Sequence, residues 1–377
     1  MLTDQFILPK DKVYLCGHSL GPCFKYSKEL VEKTLDDYSQ KVVEAWNTSS
    51  WVDLPYTVGD KIARFLGVGP DKVVVGDSTS LNLYKVLKIS KTLQQKRHEV
   101  VTSLDNFPAD IYIAQGLFNV KKYPRELLCH HINKKTAVVL ISHVSYQDSY
   151  VFDMKSIIEK AKSVGALVCI DVSHSIGIVP CHDLGDIDFI VGCTYKYLSG
   201  GPGSPSFVYV NPRHYSNLMS PIQGWMGHDY PFLLSDNYSS TGIRKLMVGT
   251  PSILSLKSLE GALKMITPDL VIKSFAKALI NGSYLIARLE CLGMKVSDPV
   301  KRGGHVSFRH ENGYAISRAL IHHGFVCDFR APDWVRICIN PLYVCLDDLN
   351  ALMDCLGFIL DEKVYLSWRH QALKKVT

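Results

Sequence analysis

A lysine stands between two tyrosines in the segment Cys193-Thr194-Tyr195-Lys196-Tyr197-Leu198-Ser199-Gly200-Gly201, followed at once by Pro202-Gly203. Glycines at such a place let the backbone turn closely around a bound group. A lysine held in an apolar, partly desolvated site loses proton affinity and becomes a nucleophile toward an aldehyde. Taken alone, a lysine is ordinarily a solvated surface residue. Upstream, Cys169-Ile170-Asp171-Val172-Ser173-His174-Ser175 puts an aspartate at the carboxyl end of a buried strand, where open α/β sheets bind their ligands. A carboxylate buried there needs a cationic partner, and a protonated pyridine nitrogen is one. The same Asp171 reads equally well as the cap of the next helix.

Further upstream lies Val75-Gly76-Asp77-Ser78-Thr79-Ser80-Leu81-Asn82-Leu83, where a strand runs into hydroxyl residues and then a helix. A helix start offers unpaired N–H groups and positive partial charge, and the hydroxyls add donors, so a phosphate suits it. An ordinary N-cap explains the same residues. Order and spacing change these separate readings: a phosphate-type loop, a strand-terminal aspartate, then a lysine 25 residues after it. A carboxylate for a pyridinium and a lysine for a Schiff base are the paired requirements of pyridoxal-phosphate (PLP) catalysis.

Elements suited to positioning these groups are visible in the hydropathy pattern. Apolar runs at Lys72–Val75, His98–Val101, Thr136–Ile141, Leu167–Ile170, Phe189–Val191 and Phe207–Val210 alternate with helical patterns. They predict a mostly parallel sheet covered on both faces, an α/β domain. Helical patterns follow over Ser255–Ile266 and Leu270–Leu292. After Gly293 come strand His305–Phe308, helix Tyr314–His323, strands Phe325–Phe329 and Val335–Ile339, and a helix from Leu346 to Ile359, which reads as a smaller α+β domain. The division expected is a large domain over residues 40–255 and a discontinuous small one over 1–39 plus 256–377.

Composition narrows the class. At 47% apolar and 21% charged residues the chain is neither disordered nor of low complexity. The net charge of +6 is scattered, which argues against a nucleic-acid face. No apolar run in the sequence approaches the roughly 20 residues of a membrane span, and no signal peptide is evident after Met1. Eleven cysteines, an odd count without a Cys-x-x-Cys pair, imply a reducing compartment, so a cytoplasmic location is expected. The pairs His130-His131 and His322-His323 read as strand neighbours pointing to opposite faces, without further ligands, so no metal is expected.

The chain resembles kynureninase, a fold-type I PLP hydrolase family. The likeness runs from Tyr14-Leu15-Cys16-Gly17-His18-Ser19-Leu20-Gly21 through Asp77–Ser80, Asn106-Phe107-Pro108-Ala109-Asp110, Asp171–Ser175 and Tyr195–Leu198. It continues through Gly224-Trp225-Met226-Gly227-His228, Gly249-Thr250-Pro251, Arg302–Val306 and Pro341-Leu342-Tyr343. The resemblance implies that Thr79, Ser80, Tyr195 and Trp225 bind the PLP phosphate and that Phe107 stacks on the ring. Asp171 would pair with the pyridinium nitrogen, while Asp110, Ser142 and His174 complete the shell. It also implies a homodimer in which Trp225 and Thr250 reach across the interface.

For an amino-acid substrate the resemblance implies that Arg336 clamps the α-carboxylate and that His18, Ser19 and Trp46 meet the aryl end; Trp51 reads as core. Lys196, Tyr195 and Asp171 would be catalytic. The implied reaction is hydrolysis of L-kynurenine, or its 3-hydroxy form, to an anthranilate and L-alanine, in tryptophan degradation or NAD biosynthesis. Gly249-Thr250 is similar to the kynurenine-preferring form. One position departs from the family's Gly-Asn-Ser-Leu-Gly pattern: His18 replaces the Asn with a larger, titratable group. The alternatives are another fold-type I enzyme, a cysteine desulfurase or an aminotransferase, or a PLP-binding homologue without turnover.

Overall fold

The computed structural model describes residues 2–374. The six apolar runs form strands and a seventh joins them: β1 (Val73–Val75), β2 (Glu99–Ser103), β3 (Asn119–Tyr123), β4 (Thr136–Ser142), β5 (Leu167–Asp171), β6 (Phe189–Gly192) and β7 (Phe207–Val210). Their order across the sheet is β1-β7-β6-β5-β4-β2-β3. From β6 to β3 all neighbours run parallel, while β7 is antiparallel to both β1 and β6. The reversal has a local cause. A parallel return needs a crossover, usually helical, and the segment between β6 and β7 instead spends its residues on the lysine-bearing turns of Cys193–Ser206.

Alternation sorts the strand side chains onto two faces. Val138 and Leu140 join one core with Leu83, Val86 and Leu87 of the helix that follows β1, whereas Val139 and Ile141 join the other. Strand β3 has no counterpart in the predicted set. Its Asn119-Val120-Lys121-Lys122-Tyr123 is half exposed at the sheet edge, where lysines discourage further pairing but erase the apolar signature.

Nine helices of eight or more residues lie among the described residues: α1 (Lys25–Lys41), α2 (Leu54–Ala63), α3 (Thr79–Leu93), α4 (Pro108–Gln115), α5 (Met154–Val164), α6 (Ile253–Met265), α7 (Pro268–Cys291), α8 (Gly313–His322) and α9 (Leu346–Asp361). Helices α1 and α6 cross closely, with Ser27 Oγ donating to the Ser258 carbonyl at 2.8 Å. A Cβ at Gly261 would lie 2.7 Å from the Ser27 backbone, so that crossing requires a glycine. Helix α7 is long and apolar enough, by length and composition, to cross a membrane. Its buried stripe of Val271, Ala278, Leu285 and Leu289 belongs to the core, and Lys273 and Lys277 occupy its exposed side.

A second sheet follows from β8 (Lys295–Ser297), β9 (His305–Arg309), β10 (Asp328–Arg330) and β11 (Trp334–Cys338), antiparallel in the order β8-β9-β11-β10. The single strand predicted over Phe325–Phe329 is two. It breaks at Cys327, whose N–H turns back to the Phe325 carbonyl, and Phe325–Val326 pairs in parallel with Val13–Tyr14 of the amino-terminal segment. Leu15 is then tied to both sides, its N–H to Val326 and its carbonyl to Cys338. The two histidine pairs also differ from the strand expectation: His130-His131 ends a short helix, and His322-His323 straddles the end of α8.

Candidate active site

The carboxyl ends of the parallel strands, the start of α3 and the β6–β7 connection surround a cavity of about 530 Å³. Of the sequence-predicted residues, Thr79, Ser80, Phe107, Asp110, Asp171, Tyr195, Lys196 and Thr250 line it. Ser78 caps α3, accepting from the Leu81 N–H at 3.2 Å. Thr79 and Ser80, as the first two helical residues, keep N–H groups without a partner inside the helix. The loop before them holds Asp77 at φ +56°. Asp77 is braced by Lys85, a fully buried lysine that also donates to the Leu246 carbonyl at 2.7 Å and whose pKa burial lowers.

Lys196 reaches this cavity from a turn fastened to the amino terminus. Gly21 donates its N–H to the Tyr195 carbonyl at 2.8 Å, and a Cβ on Gly21 would lie 2.1 Å from the Lys196 carbonyl oxygen. Nζ of Lys196 stands 5.7 Å from the centre of the Phe107 ring and 5.8 Å from that of Tyr195. Asp171 accepts the N–H of Ser173 at 2.8 Å and its hydroxyl at 2.5 Å through one carboxylate oxygen. Turns and no helix follow Asp171 before the next strand, so the helix-cap alternative does not apply. The bonds to Ser173 leave the other oxygen for the cavity.

The electrostatics are those of a site built for a cation. Burial raises the Asp171 pKa, against the opposing pull of Lys196 and Ser173. Burial and then the neighbouring Asp171 raise that of Asp110 well above the carboxylate range, and its Oδ2 has no hydrogen-bond partner. Burial thus favours the protonated carboxyls, and a cationic ring beside them would restore the charged form. Burial likewise raises the Tyr195 phenol, keeping it protonated.

Other predicted residues stand off the cavity lining. Ser142 is held behind it by Asn106, whose side-chain oxygen accepts both its N–H and its hydroxyl at 2.9 and 2.6 Å. His174 is buried, and burial followed by Lys196 pushes its pKa well below the usual value. Trp225 is 42% exposed and meets Phe232 edge-on, so it does not reach this chain's own cavity. Trp46 is half-buried and packs edge-on to Trp51 at 5.8 Å, away from the lining residues; Trp51 itself is buried.

Arg336 is buried beneath the small sheet in a cluster the sequence reading only partly contains. Its Nε donates to Asp328 Oδ1 at 2.7 Å and its Nη2 to Asp328 Oδ2, while Nη1 donates to the Tyr146 carbonyl at 2.6 Å. Ser19 Oγ donates to Asp328 Oδ2 at 2.5 Å. His18 Nε2 comes within 3.1 Å of Asp328 Oδ1 without hydrogen-bond geometry, and both its ring nitrogens lack partners. Burial lowers its pKa to about 4, so it is neutral near pH 7. Its ring stacks on His305 with centroids 5.1 Å apart.

Asp328, Arg330, Tyr146 and Ser173 are the residues sequence reasoning missed. Tyr146 bridges the two parts, its carbonyl on Arg336 and its ring edge-on to Phe107 at 5.3 Å. A signal for Asp328 existed: it lies directly opposite Arg336 in the β10–β11 hairpin, the position from which opposite charges pair across strands. Cys16, His18 and Asp328 place possible metal-ligand atoms within 4.8 Å of one another. Two guanidiniums already engage Asp328, and burial pushes the Cys16 thiol up to about 12, a donor set that suits an ion pair better than a metal.

A family model, the kynureninase C-terminal domain, matches residues 276–356. The kynureninase of Pseudomonas fluorescens is 34% identical over 100% of this chain and 96% of its own. The chain belongs to the kynureninase family. A second family member, from Burkholderia mallei, is 35% identical over 98% of this chain and 93% of its own. Solved structures share the fold at lower identity. A C-DES variant with glycine covalently linked to its PLP cofactor is 17% identical, with a TM-score of 0.82 over 94% of this chain and 98% of its own. A cysteine desulfurase from Thermococcus onnurineus reaches 0.81 at 16% identity over 96% and 98%. The architecture is thus the fold-type I fold expected of a kynureninase.

Proposed function

We propose that the protein hydrolyses L-kynurenine to anthranilate and L-alanine, with pyridoxal phosphate as cofactor, and accepts 3-hydroxy-L-kynurenine as an alternative substrate. The observation that carries this reading is the convergence of Lys196, Asp171, Asp110, Phe107 and the α3 start on one cavity in a chain of this family. The partnerless buried oxygen of Asp110 and the raised pKa values of both aspartates fit a protonated ring nitrogen. The N-terminus of α3, with Thr79 and Ser80, fits a phosphate.

When bound, PLP supplies an aldehyde for the substrate amine and a protonated ring that draws electrons from the bond being broken. Burial raises the Asp171 pKa against the pull of Lys196, and with a cationic ring nitrogen beside it the ionised carboxylate would be favoured and would hold the ring proton in place. Lys196 Nζ would hold the cofactor in the resting enzyme and, with substrate bound, would remove the proton on Cα as general base. Tyr195, protonated and beside the lysine, is the proton carrier for the later steps. With water added to the γ-carbonyl of the substrate, the bond between its β and γ carbons would break to leave the aryl carboxylate, and the β carbon would take a proton, carried by Tyr195, to become the methyl group of alanine. Arg336 holds the α-carboxylate with Ser19 bonded beside it, and His18 is assigned to the aryl side; Trp46, packed on Trp51 away from the cavity, is not.

The same proposal takes a homodimer in which Trp225 and Thr250 complete the neighbouring site. Its support is an exposed apolar segment, Trp225, Tyr230, Phe232, Leu233 and Leu234, of the kind that marks an interaction surface. The reading also takes a large domain over residues 40–255 and a small one over 1–39 plus 256–377, and eleven free cysteines favour the cytoplasm. The deciding assay follows anthranilate fluorescence in PLP-saturated protein given L-kynurenine. Sulfide from cysteine, or a keto acid, in place of anthranilate would overturn the reading.

A further inference from the structure

Resting on the kynureninase reading, we propose that Arg330 is a second carboxylate-binding residue, acting beside Arg336 with Asp328 as the group that positions both. The single clamp expected at Arg336 is, in the structure, a pair of guanidiniums converging on one hydroxyl. Arg330 Nη2 and Arg336 Nη2 each donate to Ser19 Oγ at 3.1 Å. Both also meet Asp328 Oδ2, Arg330 at 3.0 Å. Among the described residues Asp328 is the only carboxylate within ion-pair distance of either arginine.

The charge count follows directly. Arginine stays protonated in proteins. Asp328 stays ionised: burial would raise its pKa, and the Arg336 guanidinium, bonded to both its oxygens, holds it down. His18 is neutral at pH 7, its pKa lowered to about 4 by burial. Two positive groups therefore face one negative group in a largely dry place, and a partly buried charge without a counter-charge is costly. A substrate carboxylate supplies the missing charge.

Donor geometry assigns the free capacity to Arg330. The Nε and Nη2 edge of Arg336 is filled by Asp328, its Nη2 also serves Ser19, and its Nη1 serves the Tyr146 carbonyl. Beyond Ser19 and Asp328, Arg330 makes one bond, from Nη1 to its neighbour's carbonyl at Phe329, and its side chain is 36% exposed. Placement beside the cavity comes from two short links. Ser19 is two residues from Gly21, which is bonded to Tyr195, and Tyr146 spans from Arg336 to Phe107. A carboxylate that displaces the Ser19 hydroxyl would meet both arginines, one held rigid by Asp328 and one able to adjust.

The test titrates PLP-loaded protein with L-alanine, which carries the amine and carboxylate without the aryl group, and with L-alaninamide, which lacks the carboxylate. The visible absorbance of the cofactor reports binding. Arg330→Gln should weaken L-alanine roughly ten- to a hundredfold, the range of a lost charge-assisted hydrogen bond, and leave L-alaninamide unchanged. Arg330→Lys should fall between, keeping the charge without the planar fork. Equal losses for both ligands, or none for either, would overturn the assignment. Wild-type protein that prefers L-alanine to its amide but releases no anthranilate would overturn the kynurenine reading and leave Arg330 standing; normal turnover with unchanged L-alanine affinity in Arg330→Gln does the reverse.

Discussion

The two ends of the candidate site are built on opposite electrostatic plans. At the cofactor end Asp110 and Asp171 sit with raised pKa values beside one lysine, an excess of acid. At the other end Arg336 and Arg330 share Asp328, an excess of base. The first end comes from the carboxyl edge of the parallel sheet, its residues carried by the segments that follow successive strands. The second is made by the small antiparallel sheet and an amino-terminal loop, with Ser19 and Asp328 309 residues apart. Each end lacks the charge that one part of the ligand would bring: a pyridinium at one, a carboxylate at the other. Specificity for an amino acid on a PLP ring follows from holding both deficits in one molecule.

The comparison breaks most completely at Lys196. Lys196→Ala should abolish both kynurenine turnover and the visible absorbance of the bound cofactor; a variant that keeps either removes the lysine from the reaction. Next in size is Asp328→Ala, which leaves two buried or half-buried guanidiniums without a counter-charge. It should cost about 3–5 kcal/mol of stability, read as a lowered urea midpoint, and weaken substrate more than PLP. If cofactor and substrate affinities fell together, the two ends would not be separable.

Asp171→Asn tests the acidic end alone. It should lower kcat by at least tenfold, since an amide cannot hold the ring proton, while KM changes little. An unchanged kcat would move that function to Asp110. The smallest effect is expected at His18, the position that departs from the family pattern. Its pKa of about 4 lies below the 6.5 of an exposed histidine because burial disfavours the charged form. The unfolded chain therefore takes up the proton first as pH falls, so stability from this group is complete above about pH 6.5 and is lost toward pH 4. His18→Asn should flatten that slope by up to one proton, measured by urea unfolding from pH 4.5 to 7.5. A slope identical to wild type would show that His18 is not neutral and buried in the folded protein.

Much of the first end was legible because local physics writes it into sequence. A strand buried on both faces must be continuously apolar, so β4, β5, β6 and β7 stand out, and the residues that end such strands are the ones a ligand meets. Asp171, Thr79, Ser80 and Lys196 could be picked out by type, order and spacing before any contact was known. Edge strand β3 escaped, since solvent on one side removes the pattern, and Phe325–Phe329 appeared as one strand because a turn at Cys327 needs no glycine or proline.

What only the tertiary structure decided is the second end and the closure between the two. Asp328 opposite Arg336 depends on strand register, Ser19 beneath two guanidiniums depends on the amino-terminal loop lying against β11, and the Tyr146 bridge depends on both sheets being packed together. Sequence by itself determined which residue types were available and in what order the sheet would present them, because periodicity and capping act within a few residues. It left undecided which distant charges would share one dry space, because burial, which sets both the cost of a lone charge and the pKa of His18, belongs to the packed molecule.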